Sequence, residues 1–290
     1  MKRKDIKIRR TIHVGDIVFK VLVTLLMSLF ALTFIYLLLW MIFSSFRPTK
    51  AFGEDRLAFW KLQGASLKNY KDAFAMEVKK TNILGMIKNS LILIVGICTL
   101  QAIIPVLCGY VVAKYKTKIN GLIINLVIVS MVVPSVGTMT ATYRFMSTVG
   151  LRNSFLGLFI MNAGGLGFSM LLYRNYFAAI SWEFAESAFL DGAGNLKVFF
   201  YIMYPQALPL IVSMAILNII GVWNDYMTPY LYLPDYPTVA LGVQQIFVKA
   251  KTNYPKSFAA MSLMTVVVLA IYAAFSKTIM KSMSVGGIKG

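Results

Sequence analysis

Charge is scarce in this chain: only 14% of its 290 residues are Asp, Glu, Lys or Arg, and just 11 are acids. Soluble domains carry about a quarter charged residues, so an ordinary water-facing globular surface is excluded. Histidine occurs once, as His13 in a basic tail, which leaves no metal site or acid–base relay to build around it. The two cysteines, Cys98 and Cys108, fall in one apolar run and project from different helix faces. That excludes a disulfide or metal pair within the helix and leaves them as small apolar fillers. No G-x-x-x-x-G-K phosphate loop occurs, so the chain has no P-loop of its own for ATP.

What is abundant is apolar length. Six stretches contain no Asp, Glu, Lys or Arg: 21–46, 89–113, 119–143, 153–173, 198–224 and 257–276. About 20 helical residues, at 1.5 Å each, cross a hydrocarbon core of roughly 30 Å. The expected fold is therefore all-α and polytopic, with six transmembrane helices at about 20–46, 83–113, 119–142, 154–177, 208–232 and 257–280, forming one transmembrane domain over 1–290. Pro105 and Pro134 are expected to kink the second and third spans. The run Ala163-Gly-Gly-Leu-Gly167 in the fourth permits either close helix approach or local unwinding.

The net charge of +18 does not point to nucleic acid, because the basic residues are scattered through loops beside the spans rather than gathered on one face. With the N-terminus inside, inner segments hold 15 Lys and Arg and outer segments 14. The cluster MKRKDIKIRR before the first span, weighted as the positive-inside rule directs, places both termini in the cytoplasm. The first apolar run is too long for a signal-peptide core and no small-residue cleavage site follows it.

One polar segment interrupts the pattern. Residues 181–209 carry Glu183, Glu186 and Asp191, a Gly192-Ala193-Gly194 break, and Pro205 and Pro209. Ser181 is positioned to cap a first helix whose early carboxylates meet its positive end, and Phe184, Ala188 and Phe189 supply an apolar side. Gly192 and Gly194 allow a reversal. Asn195 then caps a second short helix, Leu196 to Tyr204, which Pro205 and Pro209 end before the fifth span. The segment reads either as an amphipathic loop resting on headgroups or as a charged knob offered to a partner. A second anomaly is Asp225, an acid in an otherwise apolar stretch. It is costly in lipid, and its neighbours Trp223, Asn224 and Tyr226 suit sugar recognition. Its alternatives are a structural bond near the membrane interface or a place on a translocation path.

Glu186-Ser187-Ala188, Asp191-Gly192-Ala193, Ile202 and Pro205 resemble the EAA loop of ABC importer permeases, with Ser187 in place of the first alanine of the triad. Asn89-Ser90-Leu91, Gly109-Tyr110, Leu151-Arg-Asn-Ser154, Trp223-Asn-Asp-Tyr226 and Gly287-Ile-Lys-Gly290 are similar to elements of the carbohydrate-type members, the group of the maltose permease's smaller subunit. The resemblance implies a type I permease fold in a bacterial or archaeal cytoplasmic membrane. It implies a second homologous permease, two ATPase subunits that bind ATP, an external substrate-binding protein, and a sugar or oligosaccharide cargo. It places Glu186, Gly192 and their neighbours on a cytoplasmic coupling loop, and Asn89 and Trp223 to Tyr226 on a candidate substrate path. The chain itself then needs no cofactor and is no enzyme. A permease for a non-sugar solute and an ion-coupled secondary transporter are the rival readings.

Overall fold

The computed structural model describes residues 14–62, 64–75, 77–132, 137–249 and 253–285. The basic tail with His13, Pro134, and the Gly287–Gly290 ending lie outside the described residues. Among the described residues, three helices are long and apolar enough to cross a membrane: Ile17–Ser45, Ile83–Lys114 and Asn195–Asn224. The first lies within α1 (Val14–Ser45) and the second is α4 (Ile83–Lys114). Between them, α2 (Thr49–Glu54) and α3 (Lys68–Phe74) pack at one end of the bundle. There the buried Arg47 donates to the Asp55 and Ala51 carbonyls, and the amide of Asn69 donates to Ser45 and Arg47.

The expected third and fourth spans are divided. α5 (Asn120–Val132) is followed, after the undescribed 133–136, by α6 (Thr138–Thr148). α7 (Phe155–Asn162) and α8 (Phe168–Ala179) flank a non-helical stretch at 163–167, the glycine run. Pieces of 8 to 13 residues reach only about 12–20 Å, short of a hydrocarbon core. The helix is interrupted at the glycine run, and a Cβ on Gly165 would lie 2.9 Å from Ile104 and 3.0 Å from Cys108, the close approach that small residues permit. Pro105, by contrast, sits within an unbroken α4.

α4 is the hub, packing on α7, α8, α11 and α13. Gly109 shows why α8 can come so near. A Cβ there would stand 2.8 Å from Tyr173 Cβ and 2.9 Å from both the Met170 carbonyl and the Arg174 amide. Small residues are what allow helix backbones to close to this distance in lipid.

The largest departure from the sequence expectation follows the polar segment. α9 (Glu183–Leu190) turns into α10 (Asn195–Val198), after which a π-helical turn (Phe199–Met203) and α11 (Tyr204–Asn224) continue without a break. Pro205 and Pro209 do not end a short helix. Pro205 follows directly on the π turn, where the regular i−4 ladder is already interrupted and a missing N–H costs little. The π turn just before it shifts the hydrogen-bond register, and the Gln206 side-chain amide donates to the Ile202 carbonyl at 3.0 Å. The result is a rod of 30 residues, about 45 Å long at 1.5 Å per residue.

α12 (Met227–Tyr232), α13 (Val239–Lys249) and α14 (Tyr254–Val285) complete the bundle. α13 lies where the sequence reading has an outer loop. The Leu151–Ser154 element clamps the chain after α12: Asn153 exchanges bonds with Asp235, and its backbone amide donates to the Tyr232 carbonyl.

Candidate functional site: an acidic hairpin and a polar groove

The α9–α10 hairpin is seated on the ends of α4 and α8. Ala185 is fully buried, and Trp182, Ala188, Phe189 and Ala193 pack half-buried beside it against Tyr110, Phe177 and Phe199. Tyr110 stacks with Phe199 at 5.1 Å and Phe177 at 5.4 Å, and Trp182 meets Tyr115 at 6.0 Å. Each aromatic pair adds about 0.5–1.5 kcal/mol beyond area burial, so the seat is stiff. Polar ties reinforce it. Lys114 donates to the Ile180 carbonyl, and the Tyr115 hydroxyl donates to Asn195 Oδ1 at 2.9 Å. Asn195 is thus a tether rather than the expected cap; Gly194 takes the cap position. Ser181 Oγ accepts from the Glu183 amide at 3.3 Å, but it stands one residue before the cap position, which Trp182 takes.

The reversal depends on one glycine, not two. Gly192 has φ +81°, whereas Gly194 has φ −78°. Ala193 N–H donates to Ala188 O and Gly192 N–H to Phe189 O, closing the helix end around the left-handed residue. No atom lies within 4 Å of a Cβ built on Gly192, so its requirement is purely conformational.

The buried face is centred on Ala185, not on Phe184 as the residue spacing suggests. Phe184, Leu190 and Leu196 are exposed, Leu190 at 89%. They stand among the exposed Glu183, Glu186, Ser187 and Asp191. Ile202 is half-buried within the π turn and Pro205 is exposed on the rod. The hairpin therefore presents three carboxylates and three large apolar side chains on a rigid support.

At the other end of the rod, Trp223, Asn224 and Tyr226 line a groove of about 480 Å³ with Met41, α13 and α14. Gln244 and Thr265 supply its second polar wall. The remaining two candidates lie apart from it. Asn89 is buried and its amide donates to the Pro237 carbonyl at 3.0 Å. The Asp225 carboxylate accepts from the Thr228 amide at 3.0 Å, closing the first turn of α12. Both have structural roles where the structure places them. Sequence reasoning misses Gln244 because α13 lies between prolines that suggest a loop, although VALGVQQIFV has the apolar recurrence of a helix.

A bundle of long apolar helices carrying an exposed acidic hairpin is the architecture of a membrane component. The chain belongs to the family described as binding-protein-dependent transport system inner membrane component, whose model matches residues 105–285. Among its relatives is a probable ABC transporter permease protein, YurM, of Bacillus subtilis, 24% identical over 98% of this chain and 92% of the relative. The diacetylchitobiose uptake system permease NgcG of Streptomyces coelicolor is 27% identical over 97% and 92%. The maltodextrin transport permease MdxG of Bacillus subtilis is 27% identical over 93% and 96%. A crystal structure of a bacterial ABC transporter involved in import of the acidic polysaccharide alginate contains a chain of the same fold, with TM-score 0.80 and 20% identity over 92% of this chain and 98% of that one. The chain is an ABC transporter permease, a transport component and not an enzyme.

Proposed function

We propose that this chain is one permease subunit of an ATP-driven sugar or oligosaccharide importer, forming half of the translocation path. It pairs with a second homologous permease and with two ATPase subunits, and receives cargo from an external substrate-binding protein. Six membrane crossings, some made by paired shorter helices, put both termini and the 181–209 loop in the cytoplasm of a bacterium or archaeon. Glu186, Ser187, Ala188, Asp191, Gly192 and Ala193 form the head that docks on the ATPase. Ile202 and Pro205 join that head to the membrane rod. Asn89 and Asp225 support the path structurally, while Trp223, Asn224 and Tyr226 face it. The carbohydrate assignment draws on the named substrates of the relatives, diacetylchitobiose and maltodextrin among them.

The observation that carries this reading is the exposed α9–α10 head, continuous through one rod with the groove-lining Trp223 and Asn224. Motion of the head on ATP binding passes the closed Gly192 turn and then reaches the groove along unbroken helix. Glu186→Lys tests it. The charge reversal sits on an exposed position, so the protein should insert and accumulate normally while ATP-driven uptake is lost. Normal uptake by that variant, measured with radiolabelled sugar in intact cells, would count against the docking role.

A further inference from the structure

We propose that the groove between α11, α13 and α14 accepts an uncharged saccharide, with the Gln244 amide on α13 reading its hydroxyls. This inference rests on the sugar-importer reading above and narrows its substrate class. The walls supply Trp223, Tyr226 and Phe247 as rings and Asn224, Gln244 and Thr265 as uncharged polar groups, with no Asp, Glu, Lys or Arg among the described lining residues. Asp225, adjacent in sequence, is turned to the Thr228 amide instead. Arg56 lines an adjoining aromatic pocket that shares Phe247, not the groove itself.

Spare hydrogen-bonding capacity marks the groove as a polar recognition surface. Asn224 Nδ2 donates to the Ile220 carbonyl, which leaves its Oδ1 without a partner among the described residues. Neither the Gln244 side chain nor the Tyr226 hydroxyl makes a hydrogen bond among those residues. Facing the groove unpaired, these groups are free to meet a polar ligand or water. An amide both donates and accepts, which matches a sugar hydroxyl, and apolar ring faces cover the C–H faces of a pyranose. A carboxylate brought here would meet no counter-charge from the described lining residues, which favours neutral sugars over uronates. The volume falls in the range of about 300–1,000 Å³ usual for small-molecule sites.

The test is equilibrium dialysis of radiolabelled maltotriose, raffinose and trigalacturonate against the complete transporter in nanodiscs, without receptor. At least one neutral sugar should bind, and trigalacturonate at least about 100-fold more weakly. Gln244→Leu should weaken the neutral sugar about 3- to 10-fold, the loss of one hydrogen bond. Gln244→Arg should raise the ratio of trigalacturonate to neutral binding, which a merely structural residue would not do. Comparable binding of trigalacturonate by the wild type overturns the proposal, as does unchanged neutral-sugar binding in Gln244→Leu. Binding of no sugar by a complex whose cells still take up a neutral sugar with ATP also overturns it, leaving the importer reading intact. Absence of ATP-driven uptake of any saccharide would overturn the importer reading and this inference together.

Discussion

Replacing Gly192 isolates the geometry of the docking head from its chemistry. The residue holds φ +81° and its Cα faces open space, so an alanine methyl there meets no clash and the only cost is the left-handed backbone. That cost is about 1–2 kcal/mol for an ordinary L-residue, opposed by the two bonds of the helix end from Gly192 and Ala193. A destabilisation of that size lowers the population of the closed hairpin relative to open forms by about 5- to 30-fold. Apparent affinity for the ATPase falls with it once the open forms dominate. Asn, which tolerates this region, should lie between Gly and Ala, and valine should be worst. Gly194→Ser is the control: φ −78° suits any residue, and serine is a better helix cap than most. The assay is binding of the purified permease pair to immobilised ATPase subunits, alongside uptake in cells. Wild-type affinity and uptake in both Gly192→Ala and Gly192→Val would refute the reasoning.

Further outcomes follow from single contacts. Gly109→Ala drives a Cβ to 2.9 Å from backbone atoms of α8, which cannot rotate away, and should lower stability by about 1–3 kcal/mol, read as the melting temperature of the purified complex. Asp225→Asn keeps an acceptor for the Thr228 amide and should leave stability and uptake near wild type. Asp225→Ala should cost about 1 kcal/mol as a lost cap, and abolished uptake in a well-folded Asp225→Asn would show that the charge itself is needed. Ala185→Leu inserts bulk at a fully buried position under the head and should uncouple ATP hydrolysis from transport by tilting α9, measured as ATPase activity per sugar moved.

The long apolar runs make α1, α4 and much of α14 legible, because a long apolar helix writes its length directly into hydropathy. The third and fourth spans are less so, since hydropathy averages across the break at 163–167, and an apolar run gives no sign of where helical bonding stops. Pro205 misleads for a different reason. The terminator rule assumes the regular α ladder, and a π turn at Phe199–Met203 changes the register so that the helix passes through. Gly192 and Gly194 are the same residue type, and only the backbone separates the one that needs its freedom from the one that does not. Spacing alone turns Phe184 inward, but an eight-residue helix has too few turns for periodicity to choose between Phe184 and Ala185. The Trp223–Tyr226 cluster is legible as a candidate site, whereas its second wall on α13 depends on tertiary packing.

Leu190, the most exposed apolar residue of α9, gives the most direct test of where the head points and what it meets. In a Cys98→Ala, Cys108→Ala background, Leu190→Cys should stay unlabelled by a membrane-impermeant maleimide in intact cells and become labelled when the inner face is opened. It should crosslink to the ATPase subunit with a short thiol reagent, at a yield that changes with ATP. Labelling from outside, or no crosslink to the ATPase in cells that still import sugar, would contradict the account.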